Sequence, residues 1–169
     1  ACFTDLQTWF NLVWIDPMFI KEDEFLQDLI RKDRNFTEKE KLRVLDKHFE
    51  IIEKIIPKYQ DLISKKQIEV STSPFYHPIL PLLIDSDIAK ISSPHNVGLA
   101  QNFNAAPDAK IHITNALKLY KKIFSTKPKG LWPSEGSVSN ETLELISNQG
   151  LSWIATDMDI LKKSVEGHL

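Results

Sequence analysis

A glutamate in the last third of the chain, Glu135, has the sequence context of a reactive carboxylate. It lies two residues after Pro133, with Trp132 before that proline and Gly136 directly after the glutamate. Proline holds φ in a narrow range, and glycine allows backbone conformations that other residues reach only at a cost. A carboxylate on such a stiffened turn beside an indole suits a nucleophile or general base acting on a sugar. The same residue could instead be an ordinary glutamate near a helix N-terminus, where the helix dipole favours negative charge.

Two further side chains are candidates for binding a ligand. Glu69 lies on a predicted strand, where glutamate is uncommon. It would accept hydroxyl hydrogen bonds if it pointed into a barrel interior, whereas on an edge strand it would be a surface residue. His77 precedes Pro78 in a predicted loop and is either a ligand-binding imidazole or a structural histidine.

The elements that carry these residues predict where they meet. In parallel α/β sheets and barrels, ligands bind at the carboxyl ends of the strands, because the loops that follow the strands converge there. The first predicted strand is followed by His77, the second by Glu135 and the third by Asp157. We therefore expect one rim of the sheet to bear all three polar side chains.

The segment 1–65 is predicted to be mainly helical. Thr37 and Glu40 form a capping box, in which each side chain satisfies a free backbone N–H at the start of a helix. Behind this box, apolar residues recur every three or four positions, at Leu42, Leu45, Phe49, Ile52, Ile56, Tyr59 and Ile63. The pattern predicts one long amphipathic helix to about Lys65, kinked at Pro57, whose ring nitrogen cannot donate a helical hydrogen bond.

The segment 66–169 is predicted to form β/α units. At Gln67 the apolar pattern changes from helical spacing to strict alternation, which is typical of a strand, and this strand runs into Pro74. A short buried helix is predicted over 79–84, and Pro107 suits the first turn of a further helix.

The last third of the chain predicts a strand–helix–strand unit. The segments 130–132 and 151–155 are apolar and flank a helix, which Ser137 or Ser139 caps and Gly150 ends. Apolar strands joined by a helix imply a parallel sheet. The predicted fold class is therefore α/β.

Composition excludes several classes of protein. The 169 residues carry 21 basic and 23 acidic side chains without a dense basic block, so a nucleic-acid role lacks its electrostatic basis. The single cysteine, Cys2, excludes a disulfide framework and is compatible with a cytoplasmic protein. No apolar run approaches the roughly 20 residues that a membrane span needs. The composition is 42% hydrophobic and 26% charged, which fits a soluble globular domain.

Several sequence blocks resemble one enzyme family. Gln-Ile-Glu-Val at 67–70, Phe-Tyr-His-Pro-Ile-Leu-Pro-Leu-Leu at 75–83 and Trp-Pro-Ser-Glu-Gly at 132–136 are similar to motifs of glycoside hydrolase family 57. The segments 5–12 and 153–157 extend the resemblance over nearly the whole chain. That family contains α-amylases, amylopullulanases, 4-α-glucanotransferases, branching enzymes and an α-galactosidase.

The resemblance implies a partial (β/α)₇ barrel and a retaining mechanism on α-glucans. Glu135 falls on the family's nucleophile, and Glu69 falls on the carboxylate of its second motif, in the sugar-binding site. His77 and Trp132 match residues that line the cleft, and we add Asp157 at the end of the last strand as a substrate-binding candidate. The expected ligand is an α-glucan oligo- or polysaccharide, and no cofactor or metal is expected.

The sequence departs from the family pattern in two ways. Lys66 stands where the second motif usually begins with glycine, and the family's first and fourth motifs are expected before Ala1 and after Leu169. Retaining hydrolysis needs two carboxyl groups about 5–5.5 Å apart, and Asp157 is not at the position of the second. We therefore expect a central segment of a larger catalytic domain that is inactive by itself. Because a partial barrel leaves sheet edges unpaired, we also expect self-association.

Two other functions remain open from the sequence. A metal-dependent polysaccharide deacetylase also uses a seven-stranded barrel and needs an Asp and two His at one metal, for which His77, His95 and Asp157 would be the candidates, but they lack the spacing that such a site requires. A glucan-binding module without catalysis is the second alternative.

Overall fold

The structure is a computed structural model, and it describes residues 2–95 and 101–165. The chain divides into two compact units, Ala1–Ser64 and Lys65–Leu169. No helix within the described ranges has the length and apolar character of a membrane span.

The first unit is helical. Its elements are α1 (Cys2–Leu12), α2 (Pro17–Glu22), α3 (Glu24–Lys32), α4 (Glu38–Glu53) and α5 (Ile55–Ser64). Their apolar faces enclose a core formed by Leu12, Ile15, Leu26, Leu29, Phe36 and Val44. Burial of such side chains stabilises a fold by about 1.5–3 kcal/mol each relative to leaving them exposed.

Side-chain caps define where these helices begin. Asp16 accepts a hydrogen bond from the Met18 backbone before α2, and Asp23 accepts one from Leu26 at the start of α3. The capping box predicted for Thr37 and Glu40 is confirmed at the start of α4.

The helix predicted to run on to about Lys65 is divided in two. The break lies at Lys54, between α4 and α5, rather than at Pro57 itself. A proline ring clashes with the carbonyl four residues earlier, which here belongs to Glu53, the last residue of α4. The proline therefore ends one helix one turn before its own position instead of bending a continuous one.

The second unit combines helices with a small sheet. Its α-helices and strands are α6 (Leu80–Ile84), α7 (Ala89–Ser92), α8 (Ala106–Phe124), β1 (Gly130–Leu131), α9 (Asn140–Ser147), β2 (Trp153–Ile154) and α10 (Met158–Val165), and two single-turn 3-10 helices lie at Ser86–Ile88 and Ser134–Gly136. The short helix over 79–84 and the helix with Pro107 in its first turn are thus confirmed. Ser139, rather than Ser137, caps α9.

The predicted β–α–β unit is confirmed. Strands β1 and β2 are parallel, with Gly130 opposite Trp153 and Leu131 opposite Ile154. The strand predicted from Gln67 is reduced to an isolated parallel bridge between Thr72 and Leu131, so the extended segment 67–72 pairs with β1 only at its end. Tyr120 on α8 donates its hydroxyl to the Val70 carbonyl, which ties this segment to the helix layer.

The two faces of the sheet differ in their surroundings. Leu131 is fully buried against Leu80 and Ile84 of α6, Ala109 and Ile113 of α8, and Ile146 of α9. Because side chains alternate along a strand, the neighbours of Leu131 point to the opposite face. There, Trp132 and Trp153 are 43% and 42% exposed. Helices therefore cover one face of the sheet, and the other face carries the partly exposed indoles of Trp132 and Trp153.

Candidate active site

Glu135 lies on a strained turn directly after β1. Its φ is 56° and ψ 20°, and Gly136 beside it has a φ of 67°. Two backbone hydrogen bonds close the turn, from Gly136 N–H to the Pro133 carbonyl at 2.8 Å and from Ser137 N–H to the Ser134 carbonyl at 3.0 Å. A left-handed conformation costs a non-glycine residue about 1–2 kcal/mol. Strain of this kind persists only where the surrounding structure enforces it, and it clusters at functional sites.

His77 lies on a second turn with the same feature. Tyr76 and His77 have φ values of 61° and 55°, and His77 N–H donates to the Pro74 carbonyl at 2.9 Å. The turn is anchored to α8, because Phe75 N–H donates to the His112 carbonyl at 3.1 Å and the His112 ring contacts the Phe75 carbonyl. The imidazole of His77 is thereby presented from a fixed backbone.

These two turns bring the predicted residues His77, Glu135 and Trp132 together. His77 Nε2 lies 3.2 Å from Glu135 Oε1, and the ring centres of His77 and Trp132 are 5.4 Å apart. An ionised carboxylate only accepts hydrogen bonds, so in this contact Nε2 carries the hydrogen. The Glu135 side chain is 70% exposed. One carboxylate oxygen is therefore oriented by the imidazole while the group stays open to a ligand.

Asp157 is adjacent to the Glu135 turn through its backbone. An added Cβ on Gly136 would lie 3.5 Å from Asp157 N, and Thr156 donates its hydroxyl to the Gly136 carbonyl at 2.6 Å. The Asp157 carboxylate, however, accepts from Asp159 N–H at 2.7 Å and so caps α10. Its predicted contact with substrate stays a prediction.

Glu69 makes its polar contacts with residues outside the group of His77, Trp132 and Glu135, which we call the Glu135 cluster. Trp153 donates its indole N–H to Glu69 Oε1 at 3.0 Å, and Lys129 Nζ lies 3.5 Å from Oε2. Its predicted place in a sugar-binding site stays a prediction.

The residues that sequence reasoning missed act through contacts between distant segments. Thr156 ties β2 to the Glu135 turn, and Trp153 and Lys129 surround Glu69. Trp153 and Glu69 are separated by 84 positions. The position of Thr156 at a strand end was the one available signal for that residue, whereas no local pattern pairs Trp153 with Glu69.

A metal centre has no counterpart in the described part of the chain. Among residues 2–95 and 101–165, no group of three or more His, Cys, Asp or Glu side chains could hold a metal ion. His77, His95 and Asp157, the candidates for a deacetylase-type site, therefore do not form such a group.

Comparison with known proteins gives two matches. The family model described as glycosyl hydrolase family 57 matches residues 3–168. No curated protein matches the chain. Among solved structures, the chain is similar to the GH57-type branching enzyme from the hyperthermophilic archaeon Pyrococcus horikoshii, with a TM-score of 0.52 and 18% identity. The match covers 96% of this chain and 28% of that chain, and at this identity it shows a shared fold only.

Proposed function

The chain belongs to glycosyl hydrolase family 57, and from this premise we propose that it carries the nucleophile of a retaining glycosidase or transglycosylase that acts on α-glucans. Glu135 is the proposed nucleophile. The observation that carries the proposal is the 3.2 Å contact between the side chains of His77 and Glu135. Both residues have a left-handed backbone conformation, and Glu135 lies on the turn after β1.

The proposed chemistry needs an open and oriented carboxylate. A Glu135 oxygen attacks the anomeric carbon, the bond from that carbon to the leaving oxygen breaks, and a glycosyl ester forms. Water then cleaves the ester and returns the carboxylate. The His77 hydrogen bond leaves the second carboxylate oxygen free to attack, and the half-exposed Trp132 offers an apolar face beside it for the sugar ring.

A second carboxyl group must protonate the leaving oxygen of a natural glucan. Asp157, the carboxylate beside the Glu135 turn, uses Oδ1 to cap α10, so we do not assign it this role. We propose that the chain by itself does not hydrolyse natural glucans. The chain covers 28% of the branching enzyme that it resembles in fold. We therefore propose for the whole protein only an action on α-glucans, which includes hydrolysis, transfer and branching.

We also propose that the sheet is part of a (β/α)₇ barrel wall. Three parallel segments support this, with β1 in the middle between Thr72 and β2. Helices cover one face of the sheet, whereas the face that would line the barrel carries Trp132 and Trp153. Glu69, Trp132 and the rim residues His77 and Asp157 would then contact the glucan. The cytoplasmic location expected from the single cysteine stays a prediction.

A substrate that needs no acid tests the nucleophile in the chain itself. Fluoride leaves α-maltosyl fluoride without protonation, so release of fluoride reports the attack of the carboxylate alone. We expect Glu135→Gln to reduce the rate about 10³-fold or more, because an amide is a poor nucleophile, with binding largely retained. Glu141→Gln, at an exposed residue in the first turn of α9, is the matched control and should release fluoride at the wild-type rate. Equal rates for wild type and Glu135→Gln would overturn the proposal.

A further inference from the structure

The Glu69 carboxylate makes a hydrogen bond and an ion pair with residues of two other segments. Trp153 of β2 donates its indole N–H to Oε1 at 3.0 Å, and Lys129, the residue before β1, places its ammonium 3.5 Å from Oε2. A hydrogen bond to a charged group is stronger than one between neutral partners. Glu69 therefore has a defined orientation although its side chain is 45% exposed.

The position of the Trp153 ring depends on Gly130. A Cβ built on Gly130 would overlap with Cε2, Cζ2 and Cδ2 of Trp153, far inside van der Waals contact. The indole therefore lies flat across the Cα of Gly130. Glycine is required here for space, which is a different requirement from the positive φ of Gly136.

This arrangement lies on the same sheet face as the Glu135 cluster. Trp132 directly follows β1, and its N–H donates to the Thr72 carbonyl, so the extended chain continues to it. Gly130 and Trp132 are two positions apart along this extended segment, so they share a face and are separated by roughly 6.6 Å. Trp153 covers Gly130, and Trp132 contacts His77. The Glu69–Trp153 pair therefore shares a sheet face with Trp132 and lies toward the amino ends of β1 and β2, whereas Glu135 lies beyond the carboxyl end of β1.

We propose that Trp153 is a positioning residue for glucan binding, acting through Glu69, and that Gly130 gives its ring the space to do so. The inference rests on the proposed function. The indole N–H is a donor only and occupies one acceptor site of Oε1. It thereby fixes the carboxylate plane and leaves the remaining acceptor sites for sugar hydroxyl groups, which donate to them.

A double-mutant cycle separates positioning from general packing. Trp153→Phe keeps an aromatic side chain but removes the indole N–H together with part of the ring bulk, and Glu69→Ala removes the carboxylate. We expect Trp153→Phe to raise the Kd of the chain for maltoheptaose about tenfold. This is the size of one hydrogen bond from a sugar hydroxyl to the charged Glu69, which is lost when the carboxylate is no longer held in place. In the Glu69→Ala background, Trp153→Phe should have no further effect, because its partner is gone.

Further variants control for the ring and for folding. Gly130→Ala should weaken maltoheptaose binding at least as much as Trp153→Phe, because its Cβ displaces the indole. Trp14→Phe alters an indole that is 71% exposed in the first unit and should bind as wild type. In NMR spectra, Glu69→Ala should move the indole N–H resonance of Trp153, because the acceptor of its hydrogen bond is gone, whereas Trp14→Phe should leave that resonance in place. That signal is independent of sugar binding.

The outcomes distinguish this inference from the proposed function. The positioning role is overturned if Trp153→Phe binds maltoheptaose as tightly as the wild type, or if its effect on the Kd adds in full to that of Glu69→Ala. In either case, binding of maltoheptaose by the wild type leaves the proposed function standing. Failure of the wild type to bind maltoheptaose overturns both.

Discussion

At the scale of single residues, the turn after β1 combines two costs. Glu135 has a left-handed backbone, and the hydroxyl of Ser134 before it is buried without a hydrogen-bond partner among the described residues. A buried polar group without a partner costs about 1–3 kcal/mol. Both costs fall within the Trp-Pro-Ser-Glu-Gly block, so this turn is maintained at the expense of stability, as is common where a functional group must be presented.

Two serines in this region should respond oppositely to the same substitution. Ser134→Ala removes a buried hydroxyl that has no partner among the described residues, so we expect the free energy of unfolding to rise by about 1 kcal/mol. Ser139→Ala is the matched control and should lower it by about 1 kcal/mol, because Ser139 caps α9 through Thr142 N–H. Chemical denaturation measures both, and a loss of stability in Ser134→Ala would show that its hydroxyl has a partner.

The positive φ of Lys66 accounts for the glycine that the family resemblance implies at this position. Lys66, where glycine is usual, has a φ of 57° just after α5 ends at Ser64. Glycine takes this conformation without a Cβ clash. We expect Lys66→Gly to raise the free energy of unfolding by about 0.5–1 kcal/mol, which is the relieved strain less the added entropy of the unfolded chain.

The same substitution inside the helix is its control. Lys58→Gly falls within α5 and should lower the free energy of unfolding by about 1 kcal/mol. A destabilised Lys66→Gly in urea denaturation would contradict this interpretation of the position.

At the scale of elements, the capping box of α4 is also a charge site. Hydrogen bonds from the Lys32 side chain and the Thr37 backbone lower the pKa of Glu40 from its ordinary value of 4.5 to about 2. Folding therefore favours the charged form of Glu40. Its contribution to stability is fully present above pH 4.5 and is lost as the pH falls towards 2.

A charge-removing variant tests this site. Glu40→Gln should lower the free energy of unfolding of the first unit by about 1 kcal/mol at neutral pH, the usual scale of a helix cap. The difference from wild type should shrink between pH 4.5 and pH 2, where the wild type loses the same charge. Thermal unfolding at several pH values measures this. Glu53→Gln, at an exposed residue, should follow the wild-type pH profile, and a Glu40→Gln difference that is constant with pH would contradict the assignment.

The elements also show what sequence alone could predict. The capping box, α6, α8 and the β–α–β unit rest on local spacing and on turn chemistry within a few residues, and all four are present. The helix break lies at Lys54 and not at the predicted Pro57, because the clash of the proline acts on the preceding turn. The hydrogen bond from Trp153 to Glu69 joins positions that are 84 residues apart in the sequence. A contact of that kind is set by strand register rather than by any local pattern.

At the scale of the whole molecule, unpaired polar edges and uncovered apolar faces coexist. Strand β2 pairs only with β1 within the described part of the sheet. In the first unit, α1 and the residue after it expose large apolar side chains at helical spacing, at Phe3, Leu6, Phe10 and Val13. Exposed strand edges and apolar patches both favour association between chains.

We therefore predict that the chain self-associates. Sedimentation velocity should show a weight-average mass that rises with protein concentration in the micromolar range. Phe10→Glu, at a residue that is 61% exposed, should shift this rise to higher concentrations without lowering the melting temperature. Phe36→Glu would instead unfold the core and is not a substitute. A chain that stays monomeric over the whole concentration range would contradict the prediction.

The most direct test of Glu135 as the nucleophile is covalent trapping. A 5-fluoro-α-glucosyl fluoride slows both chemical steps, but its good leaving group lets the glycosyl ester form without an acid and accumulate. After peptic digestion and mass spectrometry, we predict the added sugar on the peptide that contains Glu135, bound through an ester to that residue, and none in Glu135→Gln. Sugar attached to Glu69, to Asp157 or to any other carboxylate, with Glu135→Gln labelled as fully as wild type, would contradict the assignment.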